Sequence, residues 1–198
     1  SARLFLLGAV RADVGGVVTP LAGAQPRMVL VHTALERGRP VPADELAEAL
    51  WPERRAPHWE GALRGVVAKV RSFLAAMAHD GGASAPVLDN VGKTYRLLCP
   101  DDVVVDVWRA IEAVGEAEAA IESDPARAVV AASEAMDLLG PGLLPGVDAA
   151  WLEPWRAGLA HDLRRARRAA SAAHRASGEH GAAVLCSTDA VASDPYDE

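Results

Sequence analysis

Three basic side chains, Arg64, Lys69 and Arg71, recur within a short segment of the sequence. Guanidinium and ammonium groups bind phosphate as charged donors, and an arginine can also form paired hydrogen bonds with the edge of guanine. The spacing therefore predicts a nucleic-acid contact, provided that one element presents these side chains together. Small residues beside them would let a backbone approach its partner closely, and Ala68 and Ser72 are candidates for the same surface.

A helix over residues 62–77 would position this group. At about 100° per residue its apolar residues fall on one stripe, and the basic and small residues lie on the flank and the opposite face. A plain surface helix explains the apolar stripe fully. It does not explain an outward face that is small, because solvated helix faces are usually rich in Glu and Lys. The stripe consists of Leu63, Val67, Val70 and Leu74. Val66, which lies beside the stripe, and Ala68 are candidates for apolar contact with thymine methyl groups.

A β-hairpin is predicted over residues 87–98, because Val, Tyr and Leu favour strands and residues 90–92 supply turn formers. Lys93 lies near the tip of this hairpin, and Thr94 and Arg96 follow on the returning strand. A helix followed by a hairpin with a basic tip is the arrangement of a winged helix. These three residues are therefore added to the candidate DNA-binding set.

The segment before this helix supplies the remaining elements of such a domain. Arg54 and Arg55 lie in a short charged loop after a Leu-Trp-Pro helix stop and are candidate phosphate contacts. Strands are predicted at residues 3–10 and 17–21, and helices at residues 26–36 and 43–50.

No strand is predicted after residue 102, and alanine-rich amphipathic segments indicate helices instead. The alanine content is typical of closely packed helix pairs. The predicted fold class is an α+β winged helix at residues 1–100 followed by an all-α, tetratricopeptide-like domain at residues 101–198. The helical segments are residues 106–123, 124–139, 151–177 and 181–192, and the residues with tetratricopeptide spacing are Gly178, Ala183, Ala190 and Pro195.

The order and spacing of these motifs resemble an OmpR-type winged-helix domain. More closely, they resemble its version in the Streptomyces antibiotic regulatory protein (SARP) family of actinobacterial activators. Residues 101–195 resemble the bacterial transcriptional activator domain that follows it in that family. The resemblance rests on Leu6, Leu7 and Gly8, on Arg27, and on residues 44–52, 62–71 and 92–97.

The resemblance implies a sequence-specific DNA-binding transcriptional activator. Such proteins bind direct repeats near a promoter as head-to-tail pairs and recruit RNA polymerase. The expected partners are therefore double-stranded DNA, RNA polymerase and a second copy of the chain. In this family the loop that holds Arg54 and Arg55 is also a surface for the polymerase.

The chain departs from the family pattern in two places. Family members usually carry a Ser-Arg-Leu-Arg-like run where this chain has residues 68–71, so a possible phosphate contact through a hydroxyl is lost. Glu60 and Gly61 also dilute the positive charge near the helix start. The chain stops where the family continues with more helices, and we therefore expect a fragment of a longer protein.

The net charge of −7 is divided unequally along the chain. Residues 1–100 hold 12 Lys/Arg and 9 Asp/Glu, a net +3, whereas residues 101–198 hold 8 and 18, a net −10. Attraction to phosphate scales with the number of neutralised contacts, so a single copy should bind DNA modestly. The acidic half suits protein contacts. Its basic run, residues 164–168, is open to two interpretations, a solvated face or a partner-binding patch.

Two other functional classes stay open. One is a protein-interaction adaptor with a degenerate winged helix, and the other is the regulatory front end of a larger multidomain signalling ATPase. The acidic half and the weakly basic helix face favour the adaptor.

An enzyme is not expected. The run Gly92, Lys93, Thr94 resembles the end of a phosphate loop, but that motif needs glycine at position 87, where Val87 stands. No histidine pair has zinc-ligand spacing with a nearby Glu, so neither a metal nor a cofactor is predicted. Cys99 and Cys186 are interpreted as reduced thiols. Because no apolar run reaches about 18 residues, we expect a cytoplasmic protein without a membrane partner.

Overall fold

The computed structural model describes residues 2–53, 57–78 and 85–178. The chain divides into two compact units, of which the first comprises Ser1–Val105 and Leu144–Trp151. The second comprises Asp106–Leu143 and Leu152–Glu198. In chain order the elements are β1 (Ala2–Phe5), β2 (Arg11–Val14), β3 (Val17–Pro20), α1 (Ala24–Leu35), β4 (Val41–Pro42), α2 (Ala43–Leu50), α3 (Trp59–Ala75), β5 (Val87–Val91), β6 (Thr94–Leu98), β7 (Val103–Val105), α4 (Asp106–Ala120), α5 (Pro125–Leu139), a short 3₁₀ helix (Ala150–Leu152) and α6 (Glu153–Ala176).

One sheet of the first unit has the strand order β3-β2-β1-β7. The strands β1, β2 and β3 form an antiparallel meander, and β1 also pairs in parallel with β7, with Leu4 opposite Val105. The expectation that no strand follows residue 102 is therefore wrong. Three consecutive valines form β7, and Val103 and Val105 are buried while Val104 is exposed.

The helices of the first unit pack around large aliphatic side chains. Helix α1 packs against α2, α3 and β6, and β4 joins a second sheet of order β4-β6-β5. Helix α3 begins at Trp59, earlier than the sequence predicted, and it ends at Ala75. The leucines with almost no exposed surface in this core are Leu4, Leu6, Leu30, Leu46, Leu63, Leu74, Leu88 and Leu97.

The strands β5 and β6 form the predicted hairpin, and their register places Asp89 opposite Arg96 and Val91 opposite Thr94. Gly92 lies in the turn between them with a φ of 65°. That backbone conformation favours glycine, which lacks the Cβ that makes it costly for other residues. The hairpin therefore has the position of a wing directly after α3 in the chain.

Within the described residues, α4, α5 and α6 form the second unit and pack against one another. The start of α5 follows the sequence closely: Pro125 is its first residue, and the Asp124 carboxylate accepts a hydrogen bond from the backbone N–H of Arg127 (3.1 Å). The predicted helix at 181–192 and the residues Ala183, Ala190 and Pro195 lie outside the described residues. The buried core is alanine-rich and includes Ala117, Ala120, Ala128, Ala131, Ala132, Ala169, Ala170 and Ala173.

Two arginines link the helices of the second unit. Arg109 on α4 forms ion pairs with Glu116 (2.7 Å) and with Glu134 on α5 (2.6 Å). Arg165 on α6 bonds to Glu118 on α4 (2.6 Å) and to Asp162 (2.8 Å). The basic run at 164–168 therefore contributes at least one side chain to ion pairs inside the unit.

None of the helices in the described part of the chain combines the length and the apolar character required to cross a membrane.

Candidate nucleic-acid interface

Helix α3 separates its side chains into a buried and an exposed face, as the sequence predicted. The stripe residues Leu63, Val67, Val70 and Leu74 are buried. The exposed positions include all five predicted site residues on this helix: Arg64, Ala68, Lys69, Arg71 and Ser72. At about 100° per residue, Arg64, Ala68 and Arg71 lie close together, while Lys69 lies at the far edge of the exposed face.

Val66 does not belong to that exposed face. Its side chain packs into the core of the first unit and is only 7% exposed. The suggestion that Val66 contacts a thymine methyl group is therefore wrong, and Ala68 alone of the two apolar candidates lies on the exposed side.

Arg71 connects the helix to the wing. Its Nε donates a hydrogen bond to the backbone carbonyl of Leu88 in β5 (2.9 Å), seventeen residues away in sequence. This bond fixes the hairpin relative to α3, so Arg71 has a structural role in addition to the charge that it offers to a partner.

The three predicted wing residues have different surroundings. Lys93 is exposed, and its backbone carbonyl accepts a hydrogen bond from the N–H of Ala43 at the start of α2 (2.8 Å). The hydroxyl of Thr94 donates to the carbonyl of Val91 (2.9 Å) and braces the turn. Arg96 forms a cross-strand ion pair with Asp89 at 3.5 Å, which partly neutralises its charge. Of these three wing residues, Lys93 is therefore the one whose side chain is most available to an outside partner.

The loop candidates Arg54 and Arg55 lie outside the described residues, so their place relative to α3 and the hairpin stays a prediction.

A second polar cluster in the first unit was missed by the search for histidine pairs. Ligand atoms of His32, Glu36 and Glu45 all lie within 4.8 Å of one another. His32 precedes Glu36 by four residues, which is the spacing of neighbours on one helix face, and this was the signal available in the sequence. Burial lowers the pKa of His32, and a hydrogen bond from Arg39 lowers the pKa of Glu36.

The thiol of Cys99 shows the opposite effect of burial. Desolvation raises the pKa of Cys99 to about 12, so the thiol stays protonated near neutral pH. A protonated thiol is a poor nucleophile and a poor metal ligand.

The helical half of the chain has a family match. Residues 105–198 match the model of the bacterial transcriptional activator domain. With the winged helix that precedes it, this match agrees with the resemblance of the chain to the SARP family of transcriptional activators.

The relatives with curated descriptions agree with that class. The chain is 29% identical over 202 aligned residues to the transcriptional regulatory protein EmbR of Mycobacterium tuberculosis and to EmbR of Mycobacterium bovis. These alignments cover 98% of this chain and 49% of EmbR, so the chain spans about half the length of these relatives.

A solved structure shows the same architecture. The chain is similar to Mycobacterium tuberculosis EmbR in complex with a low-affinity phosphopeptide, with a TM-score of 0.83 and 26% identity. The match covers 99% of this chain and 51% of the other. The predicted fold class, a winged helix followed by a helical domain, is thereby confirmed.

Proposed function

We propose that this chain is a sequence-specific DNA-binding transcriptional activator. The single observation that supports this most strongly is the exposed face of α3, where basic and small side chains lie together opposite a buried stripe. In this proposal α3 enters the major groove and directs Arg64, Lys69 and Arg71 toward phosphates and base edges. Ala68 would contact a thymine methyl group, and the hydroxyl of Ser72 would serve phosphate or base.

The wing and the loop complete the proposed interface. Lys93 would reach toward the adjacent minor groove or its phosphates, with Thr94 and Arg96 beside it on β6. Arg54 and Arg55 would contact phosphates before the start of α3 and would face RNA polymerase in the promoter complex. Phosphate contacts of this kind position a protein on the duplex without reading its sequence.

The weak net charge of residues 1–100 supports cooperative binding. A net +3 leaves few charges to neutralise phosphates, so we expect modest affinity from one copy. Two copies bound head to tail on a direct repeat, together with recruited RNA polymerase, would add contacts that one copy lacks. Mass photometry should therefore show two chains bound to a duplex that holds the full repeat and one chain bound to a duplex that holds a half site.

The principal test is DNA selection followed by affinity measurement. Genomic fragments bound by the chain are sequenced, and the dissociation constant for the enriched site is measured at two salt concentrations. The variants are Arg64→Ala and Lys69→Ala, and the matched control is Arg127→Ala, an exposed arginine of the second unit. If each variant removes one phosphate contact, the slope of log K against log salt falls by about 0.9, whereas the control leaves it unchanged.

Arg71→Ala is less informative alone, because it removes both a charge and the hydrogen bond to Leu88. Arg71→Lys keeps the charge and is its natural comparison. An enriched site that binds both α3 variants as tightly as wild type would contradict the proposed placement of α3.

The second candidate is a protein-interaction adaptor, supported by the net −10 of residues 101–198. An acidic surface repels DNA and favours basic protein partners. If no genomic fragment is enriched over random DNA at low salt, the activator proposal is overturned in favour of this adaptor.

A further inference from the structure

The cluster of His32, Glu36 and Glu45 joins two helices of the first unit. His32 lies in the last turn of α1, Glu36 is the C-terminal capping residue of that helix, and Glu45 lies in the first turn of α2. His32 Nε2 and Glu45 Oε1 are 3.7 Å apart, which is longer than a hydrogen bond but suits two ligands of one cation. Side chains one turn apart on a helix, completed by a third from a neighbouring helix, can surround a metal ion.

The imidazole in this cluster is buried and incompletely paired. The side chain of His32 is only 8% exposed, and its Nδ1 has no hydrogen-bond partner within the described residues. The other ring nitrogen, Nε2, is the atom that faces Glu45, so the imidazole can offer it to a cation.

We propose that His32, Glu36 and Glu45 bind a divalent transition-metal cation of the zinc class. Imidazole nitrogen with two carboxylate oxygens suits Zn²⁺ and its first-row neighbours, whereas Mg²⁺ and Ca²⁺ prefer oxygen ligands alone. Three protein ligands leave room for water on the ion. The proposed site is separate from the exposed face of α3 that carries the DNA proposal.

A cavity gives the ion a path to the cluster. It has a volume of about 360 Å³, and His32 and Glu45 form part of its wall together with Glu48 and Trp151. The Trp151 ring lies against His32, with ring centroids 4.6 Å apart, and holds the imidazole in place. A metal site needs both an entry path and an oriented ligand, and the cavity wall supplies both.

Arg39 is the natural competitor of a metal ion at this site. Its guanidinium bonds to the Glu36 carboxylate and also to Glu45, with Nη2 2.8 Å from the Glu45 Oε1. The side chain of Arg39 is 46% exposed, so it can turn away into solvent. Displacing two such exposed ion pairs should weaken metal binding by about 2- to 30-fold relative to a chain without this arginine.

The experiment uses the full chain, freed of metal with a chelator and titrated with Co²⁺ and then with Zn²⁺. We expect one equivalent of Co²⁺ to produce visible d–d absorption that Zn²⁺ abolishes, and Zn²⁺ to raise the melting temperature through preferential binding to the folded state. His32→Ala and Glu45→Gln should weaken binding by more than about tenfold. Arg39→Ala should tighten it by about 2- to 30-fold.

Two control variants separate this site from other ligands of the chain. His58→Ala removes an exposed histidine, and Glu48→Gln removes a carboxylate of the same cavity that is outside the cluster. Both should bind Co²⁺ like wild type. Because His32 is buried and its loss could unfold the first unit, Glu36→Gln, at a half-buried position, provides the deciding variant if His32→Ala loses its circular dichroism.

The proposal is overturned by any of three results. The first is no stoichiometric Co²⁺ binding by wild type or by Arg39→Ala. The second is binding that Glu36→Gln and Glu45→Gln leave unchanged, which would place the ion elsewhere. The third is weaker binding in Arg39→Ala than in wild type. None of these measurements involves DNA, so the DNA proposal is decided separately.

Discussion

The two units of this chain bury side chains of very different size. The first unit joins strands and helices of different direction around leucines such as Leu4, Leu63 and Leu97. The second packs three described helices around alanines such as Ala117, Ala132 and Ala170. Large side chains fill the irregular space between unlike elements, whereas small ones let helix backbones approach closely. We therefore expect the first core to be destabilised by the removal of side-chain volume and the second core by its addition.

The largest expected effect is a cavity in the first unit. Leu63 is 1% exposed, and Leu63→Ala should lower the free energy of unfolding by about 2–5 kcal/mol through lost burial and an unfilled cavity. Urea unfolding followed by circular dichroism gives the magnitude, and hydrogen exchange shows which unit opens. Leu98→Ala, at a position 42% exposed, is the control, and equal losses in both variants would refute the assignment of Leu63 to the core.

The second unit should respond to added volume instead. Ala132 is fully buried between helices, and Ala132→Leu should cost about 1–3 kcal/mol because the helices must separate or the side chain must adopt a strained rotamer. The same urea and hydrogen-exchange measurements apply. Ala119→Leu, at an exposed position on α4, should be nearly neutral. A stabilising Ala132→Leu would show that the alanine core is not closely packed.

One glycine in each unit allows the effect of a substitution on stability to be distinguished from its effect on DNA binding. An added Cβ at Gly65 on α3, or at Gly115 on α4, would meet no atom within 4 Å apart from its chain neighbours and the nearby backbone of its own helix. Each Gly→Ala change should therefore stabilise its helix by about 0.5–1 kcal/mol. If DNA approaches α3 closely, Gly65→Ala should also weaken DNA binding, while Gly115→Ala should not. Unchanged DNA affinity in Gly65→Ala would argue against close approach at that point.

The smallest expected effect concerns acid stability. A hydrogen bond from Arg109 lowers the pKa of Glu116, and one from Arg165 lowers the pKa of Glu118. A carboxylate with a lowered folded pKa stabilises the fold fully above its unfolded value, near 4.5, and loses that contribution as the pH falls through the folded value. Since these pairs are partly exposed, each should contribute only about 0.2–1 kcal/mol.

The measurement is the unfolding free energy of the second unit between pH 7 and pH 3, compared in wild type and Arg109→Ala. The variant should lose less stability than wild type across the acid range, because its Glu116 has no depressed pKa to lose. A steeper acid loss in the variant would contradict this account.

Local patterns predicted most of the fold. The apolar period of 3.6 residues predicted α3 and its exposed basic face, and Asp124 with Pro125 predicted the start of α5. These signals are strong because the residues that decide the structure are neighbours in sequence. The family resemblance supplied the order of the two domains.

The features that sequence reasoning missed depend on distant residues. The three valines of β7 show no alternation of apolar and polar residue types in the sequence, and their strand partner, β1, lies about a hundred residues earlier. The cluster of His32 and Glu45 forms because α2 returns beside α1, and the bond from Arg71 to Leu88 forms because the hairpin folds back on α3. The spacing of residues in the sequence does not show which distant segments of the chain come into contact in the fold.

The parallel pairing of β1 with β7 also sets an order of events during synthesis. Strand β1 is made well before its partner, Val103–Val105, which follows the wing in the chain. Until then β1 has an open edge with unpaired N–H and C=O groups, and such edges invite pairing with other chains. A fragment that ends at residue 100 would keep that edge permanently, whereas one that ends after Val105 can close it.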